Sequence, residues 1–213
     1  MMDAMLTPAP LQPVLPVLEN LDYLGIGVFA VSGALVAAHK RQTLVTFVFF
    51  AVATGIGGGT LRDLLIGAPV FWVHQNWVLL ICIAASLIVW FAPLRIWGGA
   101  GLVWFDAVGL AAYATYGSAK ALAYGAAYLP AFGMGVLTAC AGGIIRDLLA
   151  GEPSILLRPE LYVTAAAVSA GIMVLLSVVG APAPLAGAIA AAGGFALRGL
   201  AISRGWSLPS YSR

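Results

Sequence analysis

Arg62 and Asp63 close the segment GIGGGTLRD, residues 55–63, and Arg146 and Asp147 close the matching ACAGGIIRD, residues 139–147. Each segment puts a cation beside an anion inside an apolar run. A guanidinium offers a rigid fork of donors to an anion, and a carboxylate accepts from a cation or an ammonium. Such a pair can line an ion path or hold a zwitterion. An ionised Arg or Asp near the centre of a membrane helix costs about 3 kcal/mol on insertion scales, so packing alone explains two such pairs poorly.

The residues before each pair set its surroundings. Thr54, Gly58 and Arg62 follow i, i+4, i+8, and Thr138, Gly142 and Arg146 repeat that spacing, which lays a polar face along each helix. Glycine costs roughly 1 kcal/mol relative to alanine in a helix interior. A kink or break is therefore expected at Gly57, Gly58 and Gly59, with Gly55 beside them, and at Gly142 and Gly143. The competing reading is close helix packing through small residues. Asp106, Gly109, Tyr113, Tyr116 or Gly117, and Lys120 form a further stripe close to one helical face. An intramembrane cation such as Lys120 is a functional candidate, and Thr54, Thr138, Tyr113 and Tyr116 are candidate pore-lining residues beside it. The bland alternative puts Asp106 at the membrane edge, lets Lys120 snorkel and makes the tyrosines interfacial anchors.

Other reactive residues carry less. His39 and His74 lie in loops, His74 within the aromatic segment FWVHQNW of an interfacial belt, and neither has a metal partner at ligand spacing. Arg198 is expected to snorkel toward Arg204. Cys82 and Cys140 sit in apolar runs without CxxC spacing and read as packing thiols. Patterns of the GxSxG, HExxH and P-loop kinds are missing, so the expectation is a protein that is not an enzyme and uses neither metal nor organic cofactor.

The elements that must position these residues are membrane helices. Hydrophobic residues make up 62% of the 213, charged residues 8%, and the mean hydropathy is +1.02. That leaves too little polar material for a water-facing surface. Ten Lys and Arg against eight Asp and Glu give a net charge of only +2, without the clustered basic face a nucleic-acid partner requires. A window of about 20 residues finds seven spans, at 21–38, 44–66, 73–92, 101–123, 129–150, 161–180 and 183–202. The first 20 residues carry Pro8, Pro10, Pro13 and Pro16 without a basic start or cleavage site, so span one is expected to be an uncleaved anchor. Lys40, Arg41, Arg95, Arg158, Arg204 and Arg213 all fall on one side, and the opposite side holds no Lys or Arg. By the positive-inside rule the amino terminus is extracytoplasmic and the tail, 203–213, cytoplasmic. The short loops leave no room for a soluble domain or a soluble protein partner.

Sliding the chain on itself by 84 residues without a gap aligns Asp22 with Asp106, Gly25 with Gly109, Gly33 with Gly117, Thr54 with Thr138, and Arg62–Asp63 with Arg146–Asp147. Gly67 and Pro69 fall on Gly151 and Pro153. The chain is thus expected to be all-α, with two three-helix units, 21–92 and 101–180, and a seventh helix, 183–202, without a counterpart. Three spans per unit invert the second copy, as in transporters and channels with a midplane site. Since neighbouring residues point about 100° apart on a helix, partners are expected across the repeat, Arg62 with Asp147 and Arg146 with Asp63.

Seven spans, the inverted three-plus-three repeat and the doubled GIGGGTLRD and AGGIIRDLLAGEP motifs resemble the prokaryotic branch of the trimeric intracellular cation channel (TRIC) family, over about residues 20–203. The resemblance implies an inner-membrane homotrimer embedded in lipid. Each subunit would hold its own pore between kinked second and fifth spans, passing K⁺ and, less selectively, Na⁺. It places the kinks at Gly57–Gly59 and at Gly142 and Gly143, where Ala141 stands in place of a third glycine. It also makes Lys120 the counterpart of a span-four lysine tied to voltage gating in animal members. The tracts Ala165–Ala167 and Gly187–Gly194 are candidate close-packing faces. Arg62, Arg146 and Lys120 would repel K⁺ unless Asp63, Asp147 and Asp106 neutralise them or the basic residues act as gates. The same mixed charges suit a carrier for glycine or another small amino acid. A non-conducting scaffold leaves the buried charges unexplained.

Overall fold

The computed structural model describes residues 15–92, 94–97, 101–209 and 211; the proline-bearing residues 1–14 and Arg213 lie outside them. The described chain forms helices α1 (Leu15–His39), α2 (Leu44–Leu65), α3 (Asn76–Phe91), the single turn α4 (Leu94–Trp97), α5 (Gly101–Ala123), α6 (Tyr128–Ala150), α7 (Tyr162–Val178) and α8 (Ala183–Arg204). Apart from α4, these helices fall on the seven expected spans; α1 starts at Leu15, ahead of the expected 21, and the other ends lie within a few residues of the sequence boundaries. Four of them, α1, α2, α6 and α8, are long and apolar enough by themselves to cross a membrane. Large apolar side chains such as Val45, Phe91, Leu129 and Leu175 lie exposed on the outside of the bundle. In water such a surface would aggregate, and in a bilayer it meets lipid.

Packing repeats with the sequence. α1 packs on α2 and α3 as α5 packs on α6 and α7, and the two halves meet where α1 contacts α5 and α2 contacts α6. α8 lies against α7 and α5. α5 is buried continuously from Gly109 to Ala123, which explains how it carries Asp106, Lys120 and two tyrosines: its neighbours, not lipid, surround it.

Local signals fix the helix ends in register too. Thr43 caps α2, its hydroxyl accepting from the Thr46 amide at 3.4 Å. Gly67 (φ 69°) and Gly151 (φ 66°) stop α2 and α6 in the left-handed region that favours glycine. The Ala68 amide donates to the Asp63 carbonyl and the Glu152 amide to the Asp147 carbonyl, both at 2.9 Å. These turns hold the end of each Arg–Asp motif against the loop that follows it.

Of the expected kink or break, the break is corrected. α2 and α6 run through their glycine tracts as uninterrupted helix. The glycines serve close approach instead: a methyl group on Gly58 would strike the Thr138 carbonyl, and one on Gly142 would stand 2.8 Å from the Thr54 carbonyl. The two helices therefore cross backbone to backbone, through reciprocal positions of the repeat. Gly57 faces Ile145, Gly59 would place a methyl 2.7 Å from Phe71, and Gly55 one 3.0 Å from the Ile26 carbonyl. Helix propensity is lost at each glycine, and the crossing it permits compensates through packing.

Candidate functional site

Each half builds one buried charge cluster at the C-terminal end of its glycine helix. On α2, Arg62 Nε donates to Asp63 Oδ1 at 2.8 Å, and Arg62 Nη1 lies 3.4 Å from Asp22 Oδ1 on α1. Lys120 of α5 reaches the same Asp63, 2.8 Å from Oδ1 and 3.0 Å from Oδ2. The Phe71 amide adds a 3.1 Å hydrogen bond to Asp63 Oδ2. The Arg62 guanidinium also lies 5.0 Å from the Tyr116 ring centroid.

On α6 the pattern recurs. Arg146 Nε and Nη2 donate to Asp147 Oδ1 at 2.9 and 2.8 Å. Arg146 Nη1 donates to Asp106 Oδ1 on α5, and to Ser32 Oγ on α1 at 2.6 Å. The Ile155 amide closes Asp147 Oδ2 at 2.7 Å. Ile155 and Phe71 are repeat mates, and so are Ser32 and Tyr116, each touching the arginine of the opposite half.

Arg62 and Asp63 are fully buried and the other cluster charges nearly so. Every guanidinium and ammonium here has a carboxylate partner, which compensates the cost of removing it from water. The expected cross-repeat pairs, Arg62 with Asp147 and Arg146 with Asp63, are not made. Each arginine pairs with its own neighbour and with the acid 40 residues earlier. A Cβ direction does not fix where a long, flexible arginine ends, and the guanidinium turns back along the helix. Asp22 and Ser32 belong to the clusters without having been singled out as site residues. The 84-residue alignment of Asp22 with Asp106 was the signal for the first.

Two cavities reach the clusters from opposite faces. One, of about 240 Å³, is lined by Glu19, Asp22, Phe71, Tyr116, Lys120 and Tyr124 among others. The other, of about 420 Å³, is lined by Val36, Lys40, Asp106, Arg146, Asp147 and Ile155 among others. Between them stands the α2–α6 crossing. Thr54 and Thr138 are fully buried there, with their carbonyls against Gly142 and Gly58. Tyr113 is buried outside both cavities, its hydroxyl donating to the Gly55 carbonyl and its ring against Gly25. Gly143 packs beside the Tyr162 hydroxyl.

Neither Lys120 nor Arg198 snorkels. Lys120 is tied to Asp63, and Arg198, 1% exposed, pairs with Glu160 at 2.5 Å and lies over the Tyr162 ring. The expectation for Arg198 is corrected because the half-exposed Glu160 of the loop before α7 and the buried Tyr162 ring cover it.

A family model described as glycine transporter matches the chain twice, over residues 19–93 and 103–178. The chain belongs to the glycine transporter family. The two matches start 84 residues apart, the register of the internal repeat, and α8 lies beyond both. Among solved structures, the TRIC trimeric intracellular cation channel orthologue from Rhodobacter sphaeroides is 41% identical with a TM-score of 0.83, over 89% of this chain and 99% of that one. A prokaryotic TRIC channel in 0.5 M KCl is 29% identical with a TM-score of 0.82, over 90% of this chain and 98% of that one. The TRIC resemblance seen in the motifs thus holds across the whole fold. A UPF0126 membrane protein of Vibrio cholerae is 36% identical over 154 residues, 68% of this chain. The match spans 62% of that relative's length. This member of the glycine transporter family is an integral membrane protein whose relatives are named as channels and membrane proteins, not enzymes.

Proposed function

We propose that the protein is a monovalent cation channel, permeable to K⁺ and less selectively to Na⁺, with one pore in each subunit of a lipid-embedded homotrimer. The observation that carries this reading is the pair of cavities at opposite ends of α1 and α5, one reaching Asp22 and Lys120 and the other Asp106, Arg146 and Asp147, with the glycine crossing of α2 and α6 between them. The path runs along α2 and α6 past Thr54 and Thr138, and opening separates the crossing. The cations lining it do not forbid K⁺, because Arg62, Lys120 and Arg146 are each held by aspartates. Structural neighbours that are TRIC cation channels support the same function.

The functional units are the two three-helix repeats, 21–92 and 101–180, with 183–202 appended. The amino-terminal segment is extracytoplasmic and the tail cytoplasmic in the inner membrane, following the basic residues of the loops. Cofactors and soluble partners play no part. Planar-bilayer recording of the purified protein under a KCl gradient tests the channel. Discrete openings that reverse near the K⁺ equilibrium potential are expected.

A second reading is a carrier for glycine or a similarly small amino acid. Each cluster presents both signs of charge at the bottom of a cavity, as a zwitterion requires. A silent bilayer with saturable uptake of radiolabelled glycine into proteoliposomes would establish the carrier instead.

A further inference from the structure

The helix that lies outside the repeat, α8, buries one charged side chain against the loop between α6 and α7. Arg198 donates from Nη2 to Glu160 at 2.5 Å, and its guanidinium lies 5.5 Å from the Tyr162 ring centroid. That loop walls the 420 Å³ cavity with Ile155, Arg158 and Glu160. Beyond α8, Gly205 (φ 65°) turns the chain, and the tail returns to the same loop. Ser207 forms an antiparallel bridge with Glu160, and the Leu208 amide donates to the Pro159 carbonyl at 2.7 Å. Glu160 is thus held twice, through its side chain by Arg198 and through its backbone by the tail.

The contacts run on into the charge cluster. The Tyr162 hydroxyl hydrogen-bonds the Asp106 carboxylate, and Asp106 holds Arg146. Both groups stand beside Gly143, where a methyl would lie 2.6 Å from the hydroxyl and 3.7 Å from Asp106 Oδ1. A contiguous series of side chains of this kind carries a displacement at one end to the other. The other half has no such series: under the 84-residue register Glu160 falls on Asn76 and Tyr162 on Val78, and α8 has no counterpart. The joint is also weakly secured. Arg198 is 1% exposed, its Nε has no partner among the described residues, and the Glu160 side chain is 34% exposed. A buried cation compensated by a single acid that water still reaches is a joint that opens locally.

We propose that α8 and the tail form a latch on the larger cavity. Arg198 is the positioning residue: it holds Glu160 and Tyr162, the tail bridge locks Glu160 from the other side, and together they restrain the loop at the cavity mouth. Release at either end frees the loop and lets larger solutes reach Asp106 and Arg146. Trp206 and Leu208 are exposed, so the tail end of the latch lies within reach of solvent. The latch governs access to the cavity, not what passes through it, and is therefore independent of the channel reading.

The test is the rate at which a bulky, charged methanethiosulfonate reagent labels the purified full-length protein carrying Val103→Cys, a position that lines the larger cavity. Gln75→Cys, in the wall of the smaller cavity, is the control, and the buried native Cys82 and Cys140 report general loosening. Adding Arg198→Gln is expected to speed labelling at position 103 about tenfold, the loss of one hydrogen bond between charged groups. Leu208→Pro, which removes the amide donor to Pro159, should speed it about threefold. Arg198→Lys, which keeps a cation for Glu160, should restore most of the wild-type rate. Because both ends act on one loop, Arg198→Gln and Leu208→Pro together should accelerate labelling by less than the product of their separate factors. An unchanged rate at position 103 in either variant, equal acceleration at position 75, new labelling of Cys82 or Cys140, or factors that simply multiply each overturn the latch. Leu208 lies outside the bundle, so Leu208→Pro decides the matter by itself if Arg198→Gln yields no folded protein.

Discussion

The Asp63 cluster and the Asp147 cluster derive from one motif, yet they solve the burial of charge differently. Asp63 is a hub shared by Arg62 and Lys120, and the cluster balances itself. The Asp147 cluster spreads one arginine over Asp147, Asp106 and the Ser32 hydroxyl, and keeps an excess of negative charge within the cluster. The comparison teaches that repeated sequence conserves a scaffold of partners, while a single unmatched residue, Lys120 against Val36, sets the net charge. Inverted halves thereby acquire different ends.

The largest effect should come from removing the hub. Asp63→Asn strands two buried cations, whereas Asp147→Asn leaves Arg146 with Asp106 and Ser32. Breaking a buried pair costs about 3–5 kcal/mol. Asp63→Asn is therefore expected to lower the unfolding midpoint, and the yield of folded protein, well beyond Asp147→Asn. Equal losses would break the comparison.

Conductance sharpens it next. Arg146→Ala leaves Asp106 and Asp147 uncompensated, while Arg62→Ala leaves Asp22 and Asp63 with Lys120. Both should raise cation leak in bilayers or proteoliposomes, Arg146→Ala more. Wild-type currents from both would falsify a path through the clusters.

The glycine crossing gives a smaller, reciprocal pair. A methyl on Gly58 meets the Thr138 carbonyl more closely than one on Gly142 meets the Thr54 carbonyl. Overpacking costs about 1–3 kcal/mol, so Gly58→Ala should destabilise more than Gly142→Ala in thermal unfolding. The reverse order would show that the halves do not meet as described.

The smallest effect belongs to the exposed bridge of Lys40 with Glu152 at the mouth of the larger cavity. Lys40 holds the Glu152 carboxyl below its ordinary range through a hydrogen bond and its charge. A depressed folded value stabilises the protein above the ordinary carboxylate range, and this is lost as pH falls through the folded value. Glu152→Gln should shift the unfolding midpoint marginally at pH 7, and the shift should vanish in acid or high salt.

Much of this was legible in the residues. Spans follow from apolar runs, because the bilayer sets their length. The repeat follows from Asp, Arg and Pro recurring at one ungapped offset, which apolar composition does not imitate. The pairing of the arginines was not legible. Adjacent positions diverge at Cβ, which argued against Arg62 meeting Asp63, but four methylene-to-guanidinium torsions let the side chain bend back. Arg198 looked like a snorkelling residue near a helix end, and nothing local announced Glu160, 38 residues away in sequence. The glycine tracts signalled weak helix, and the crossing partner that keeps them helical lies in the other half.

By itself the sequence determined a seven-span, inverted-repeat membrane protein with its charges in two matched motifs, since length, hydropathy and periodicity are properties of the chain and of the solvent it must meet. Tertiary structure alone decided which acid holds which base, that Gly58 and Gly142 cross instead of breaking, and that one cluster is neutral while the other keeps a negative charge. Those outcomes depend on side-chain torsions and on surfaces from distant segments, which come together only when the two halves pack.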